Sequence, residues 1–135
     1  MTSKVTYKGG LRTEATHLKS GISIITDAPT DNHGKGEAFS PTDLLATSLG
    51  SCMLTVMGIA AERLGVQMQG TEVEITKIMS AEPRRVSGII AKIIFPKGVA
   101  GDDKTRKILE NTAYTCPVAK SLHPEIKQDI EFAYL

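Results

Sequence analysis

Phe39-Ser40-Pro41-Thr42-Asp43-Leu44-Leu45-Ala46-Thr47-Ser48-Leu49-Gly50-Ser51-Cys52 is the stretch on which the fold of this chain turns. Ser40 is a good N-cap, Pro41 suits the first helical position, and Asp43 complements the positive end of the helix dipole. The spacing predicts a helix from Pro41 to about Leu64, stopped by Gly65. The 18 residues between Asp43 and Glu62 carry no charge, which is the lower edge of a membrane-spanning length. However, Thr47, Ser48, Ser51 and Thr55 are hydroxylic, Gly50 and Gly58 are small, and no aromatic belt flanks the run. A buried helix inside a soluble fold fits those residues better than a membrane span. Leu45, Leu49, Cys52, Val56 and Ile59 fall on one apolar face at helical spacing.

Outward from the helix, the chain reads as strands that arrive in hairpins. Val5 and Tyr7 alternate with Thr6 and Lys8 before Gly9-Gly10; Leu11 to Leu18 and Ile22 to Thr26 follow, then a loop from Ala28 to Ser40. After the helix come strands at Thr71 to Ser80 and Val86 to Phe95, joined near Glu82-Pro83. Asp102 or Asp103 caps a second helix, Pro117 opens a short third one, and Asp129 to Tyr134 is a last strand. The order βββ-α-ββ-α-α-β, with no alternating βαβ units, predicts an α+β class with an antiparallel sheet. At 135 residues, without repeats or a long linker, one domain spanning 1–135 is expected.

Composition narrows the function. Sixteen Lys and Arg against fifteen Asp and Glu leave a net charge of +1 with no long run of one sign. That balance argues against phosphate-driven nucleic-acid binding and a polybasic membrane role. The absence of Trp, with three Phe and three Tyr, leaves few platforms for stacking bases. Residues 1–10 are polar and carry no signal-peptide core, and Cys52 and Cys116 form no C-x-x-C, so a cytoplasmic protein is expected. His17, His33 and His123 lie too far apart for a zinc signature, and no cofactor motif is present.

The two cysteines remain. Cys52, on an apolar helix face, reads either as a small buried hydrophobe or as a working thiol that needs a cation close by. Cys116, just before Pro117, is placed at or near an N-cap, where unpaired N–H groups favour a thiolate. Ser48, Ser51, Thr55 and Gly58 form a stripe of small residues on the long helix. The stripe fits either packing on the sheet or, the favoured reading, a second copy across a two-fold axis.

Taken together, Phe39 to Cys52, Thr115-Cys116-Pro117-Val118 and Gly9-Gly10-Leu11-Arg12 resemble the OsmC/Ohr family (osmotically inducible protein C and organic hydroperoxide resistance protein). In that family a Pro-acid-Leu-Leu segment precedes a reactive cysteine by eleven residues, the separation of Pro41 and Cys52 here. The resemblance implies an intertwined homodimer and a thiol peroxidase without a cofactor or metal. Cys52 is then the peroxidatic thiolate and Cys116 the resolving cysteine, while Arg12 orients the peroxide oxygens. The partners implied are an organic hydroperoxide as substrate and an external dithiol as reductant. The best-studied members of that family carry Glu directly after the Pro, where it fixes the arginine; this chain has Thr42. Asp43, one residue along, and Glu37 in the preceding loop are the candidate replacements. Two other readings share the fold: a cleft for a small apolar ligand lined by the cysteines, and a thiol redox sensor.

Overall fold

Gly9 and Gly10 take left-handed backbone (φ 81° and 61°), a conformation that costs glycine little. They turn β1 (Ser3–Gly9) back along β2 (Arg12–His17). The computed structural model describes residues 1–135, which divide into two compact units, Met1–Leu45 and Ala46–Leu135. In the first unit β2 also pairs with β3 (Ser23–Asp27), giving an antiparallel sheet in the order β1-β2-β3. The β2–β3 turn is tight: Gly21 N–H donates to the His17 carbonyl at 2.8 Å and His17 N–H to the Ile22 carbonyl at 2.8 Å. That closure sets the register, with Arg12 opposite Asp27. Val5, Ala15 and Ile24 line up across one face of the sheet, and Val5, Tyr7, Ile22 and Ile24 are exposed.

Residues 28–39 form a closed loop. Asp27 N–H donates to the Phe39 carbonyl at 3.0 Å, Gly34 N–H to the Pro29 carbonyl at 3.0 Å, and Gly36 N–H to the Ala28 carbonyl at 3.2 Å. Helix α1 (Pro41–Leu64) follows. Its start is a reciprocal capping box: Asp43 N–H donates to Ser40 Oγ at 3.1 Å, and Ser40 N–H donates to Asp43 Oδ2 at 2.9 Å.

In the second unit β4 (Glu72–Ala81) and β5 (Arg84–Phe95) form the expected hairpin. Next come α2 (Asp103–Ala113), α3 (Pro117–Ser121) and β6 (Lys127–Tyr134), so the element order and α+β class agree with the sequence reading. The sheets differ from it in one respect. There are two three-stranded sheets, and β6 runs parallel to β5 rather than antiparallel. The connection from β5 to β6 carries two helices, long enough for the crossover that a parallel pair requires.

The core of this unit is Leu49, Met53 and Met57 from α1, Ile89, Ile93 and Phe95 from β5, and Leu109 from α2, all fully buried. Burying each such side chain stabilises the fold by about 2 kcal/mol. The buried side of α1 is Ala46, Leu49, Gly50, Met53, Met57 and Ala61. This lies about one residue round the helix from the face that the spacing of large aliphatics picks out. Leu45 and Ile59 are 40% and 49% exposed, while Cys52 and Val56 sit at the margin, partly buried against the core. The reason is steric. The helix carries no charge between Asp43 and Glu62 and has apolar residues on more than one side, so its closest approach decides the face. A Cβ on Gly50 would lie 2.9 Å from both Val73 Cγ1 and Ile75 Cδ1 of β4. By length and composition α1 could cross a membrane, yet Leu49, Met53 and Met57 belong to the core and Gly50 rests on β4.

Candidate functional site

Cys116 is held between two helices. Its N–H donates to the Ala113 carbonyl at 3.4 Å, at the end of α2, and its own carbonyl accepts from Lys120 N–H at 3.3 Å in α3. It is the N-cap of α3, with extended backbone and Pro117 following. Pro117 favours that geometry twice: it suits the first helical position and pushes its predecessor out of the helical region. Ala119 N–H donates to Cys116 Sγ at 3.2 Å, and the side chain is fully buried.

Cys52 comes to the same place from the middle of α1. It lies close enough to Cys116 to influence that thiol, and it is partly exposed where Cys116 is not. Burial pushes the Cys116 thiol above its ordinary range, the Ala119 N–H opposes that shift, and the neighbouring Cys52 adds to it. The structure brings together two free thiols that are 64 positions apart in sequence, one partly buried and one fully enclosed.

Arg12 lies in the first unit, at the start of β2. Its Nε donates to Asp27 Oδ1 at 2.7 Å and its Nη2 to Asp27 Oδ2 at 2.8 Å, a bidentate pair. The Asp27 side chain is only 1% exposed, against 30% for Arg12. Asp27 Oδ2 also accepts from Glu37 N–H at 3.0 Å. The Glu37 carboxylate stands 3.4 Å from Arg12 Nη2 and is 64% exposed. Asp43, the other carboxylate proposed from sequence, serves the capping box of α1.

The main partner of the arginine is thus Asp27, which the sequence reading left just beyond a strand ending at Thr26 and gave no role. The β2–β3 turn held the signal, because its register puts position 27 opposite position 12. The guanidinium hydrogen bond holds the Asp27 carboxyl below the usual carboxylate range, with help from the Glu37 N–H. A lowered carboxylate contributes stability above its unfolded value and loses it as pH falls through the folded one. The clasp therefore persists into mildly acid solution.

The fold and these two clusters define a small α+β protein with a dithiol and a carboxylate-clamped arginine. The family model for OsmC-like proteins matches residues 34–131, and the chain belongs to that family. A solved structure from Psychrobacter arcticus, provisionally described as an osmotic stress induced and detoxification response protein, is similar at 61% identity. The match covers 98% of this chain and 95% of that one, with a TM-score of 0.93. An organic hydroperoxide resistance protein OsmC from Legionella pneumophila is 14% identical over 98% of this chain and 97% of its own, TM-score 0.72. An OsmC-like protein from Mycoplasma pneumoniae is 13% identical over 98% and 95%, TM-score 0.81. At such identities the last two share the fold. Among curated proteins, none matches this chain.

Proposed function

We propose that this protein is a thiol peroxidase that reduces organic hydroperoxides through Cys52 and Cys116. The observation that carries the reading is the pair of neighbouring free thiols, with the partly buried sulfur on α1 and the enclosed one at the cap of α3. The Cys52 thiolate attacks the terminal peroxide oxygen, the O–O bond breaks, and the alkoxide leaves as an alcohol after taking a proton. Cys52 is left as a sulfenic acid. Cys116 condenses with it, forming an S–S bond and releasing water. An external dithiol then reduces that bond and becomes a disulfide itself. The resemblance gives Arg12 the role of orienting the peroxide oxygens, as a guanidinium that stays protonated.

The Legionella relative's description as an organic hydroperoxide resistance protein supports the substrate class. Two free thiols suit a reducing cytoplasm. A homodimer would cover the exposed apolar face of the first sheet and the outward side of α1, which carries Ser51, Thr55 and Ile59.

The test is consumption of cumene hydroperoxide in the presence of a dithiol. In this scheme Cys116→Ser keeps the first turnover and then accumulates a Cys52 sulfenic acid, read as a dimedone adduct by mass spectrometry. Steady turnover by that variant with no trapped sulfenic acid would remove Cys116 from the cycle.

A further inference from the structure

Helix α3 is five residues long, too short to hold its own shape in water. Val118, Ala119 and Leu122 pack against the core. Apolar contact is non-directional, so it presses the helix down without setting its rotation. Rotation matters here, because α3 carries the amide that meets the enclosed thiol: Ala119 N–H donates to Cys116 Sγ at 3.2 Å.

The directional bond comes from β6. Gln128 Nε2 donates to the Ala119 carbonyl at 3.0 Å. That carbonyl is one of the last four of the helix, the groups that a helix cannot pair internally. By pattern Gln128 is out of place. Positions 128, 130, 132 and 134 share one face of β6, and Ile130, Phe132 and Tyr134 pack against the core. A half-buried amide in that row costs stability unless it is bonded. The parallel ladder fixes its place, opposite the fully buried Ile89 of β5. Ala119 is thus held at both ends, its N–H on the sulfur and its C=O on the strand.

We infer that Gln128 is a positioning residue for the resolving step: it holds α3 so that Ala119 N–H is aimed at Cys116 Sγ while that sulfur attacks Cys52. The inference rests on the thiol-peroxidase reading, and all four residues lie in the second unit. In the step the Cys116 thiolate attacks the sulfur of the Cys52 sulfenic acid. An S–S bond forms, the S–O bond breaks, and hydroxide leaves and takes a proton to become water. A thiolate is the attacking form, and a hydrogen bond from an amide favours it. Burial works against that form, and so does Cys52, the titratable neighbour that acts on this thiol. A helix free to turn loses the Ala119 bond, the chief influence opposing burial.

The experiment compares wild type with Gln128→Glu, isosteric but facing the carbonyl with an acceptor, and Gln128→Met, which has no donor. Reduced protein is mixed with cumene hydroperoxide, and thermal midpoints are measured alongside. The Cys52–Cys116 link and the dimedone adduct of Cys52 are followed in time by mass spectrometry. In both variants Cys52 is expected to react with peroxide as fast as in wild type. The link forms about tenfold more slowly, the effect of losing one ordinary hydrogen bond, and the sulfenic acid accumulates. The deficit shrinks as pH is raised, because more Cys116 is then ionised without help from the amide.

Link formation at the wild-type rate in either folded variant would overturn the positioning role. So would equal slowing of both steps, a deficit that does not change with pH, or loss of fold in both variants. A wild type that forms neither the link nor a sulfenic acid would instead overturn the reading on which the inference rests.

Discussion

Replacing Cys52 with serine abolishes hydroperoxide turnover, with kcat/KM for cumene hydroperoxide falling on the order of 10³-fold or more. A serine hydroxyl is nearly isosteric but is not ionised near neutral pH, so it cannot displace alkoxide from the peroxide oxygen. Nor can it form the sulfenic acid from which the cycle continues. The fold survives the change, because Cys52 lies at the margin of the core and is only partly buried. The thermal midpoint of the variant is therefore expected to stay close to wild type, which ties the loss to chemistry. Unchanged turnover in Cys52→Ser would sink the peroxidase reading. Binding of an apolar ligand that persisted in both cysteine variants would then favour a ligand-binding cleft.

The second large effect is structural. A Cβ on Gly34 would overlap the carbonyl oxygen and carbon of Ala28. Both are backbone atoms inside a closed loop, so no rotamer change relieves the clash. Gly34→Ala must open the loop and lose the Gly34–Pro29 and Gly36–Ala28 hydrogen bonds. The expected cost is about 3 kcal/mol, read as a fall of about 10 °C in the thermal midpoint. Because Glu37 N–H bonds Asp27 from this loop, activity falls further than stability alone accounts for. Gly101→Ala is the control, since a Cβ there meets nothing within 4 Å. It should stay within about 0.5 kcal/mol of wild type. A Gly34→Ala protein as stable as that control would contradict the loop's closure.

How much of this was legible depends on how local the signal is. The start of α1 could be read from Ser40, Pro41 and Asp43, because a capping box involves only neighbours in sequence. The N-cap position of Cys116 followed from Pro117 for the same reason. The buried face of α1 could not be read, because an uncharged helix with apolar residues on more than one side leaves the choice to its contacts. Gly50 against Val73 and Ile75 makes that choice. The parallel β5–β6 pair was hidden as well: strand spacing does not give direction once two helices intervene. Asp27 was missed because its partner lies fifteen residues away across a hairpin. Only the register set by the His17–Ile22 closure brings the two together. The pairing of Cys52 with Cys116 came from family resemblance and not from spacing, since their separation in sequence carries no geometric information.

The central claim is that the two thiols act as one redox unit, and the most direct measurement is the intact mass of reduced protein after one equivalent of cumene hydroperoxide, with peptide mapping. The account predicts a loss of about 2 Da, carried by a peptide pair linking Cys52 to Cys116, as a sulfenic acid trapped by its neighbour requires. An unchanged mass in folded, reduced protein, or oxidation confined to one sulfur without the link, would contradict it.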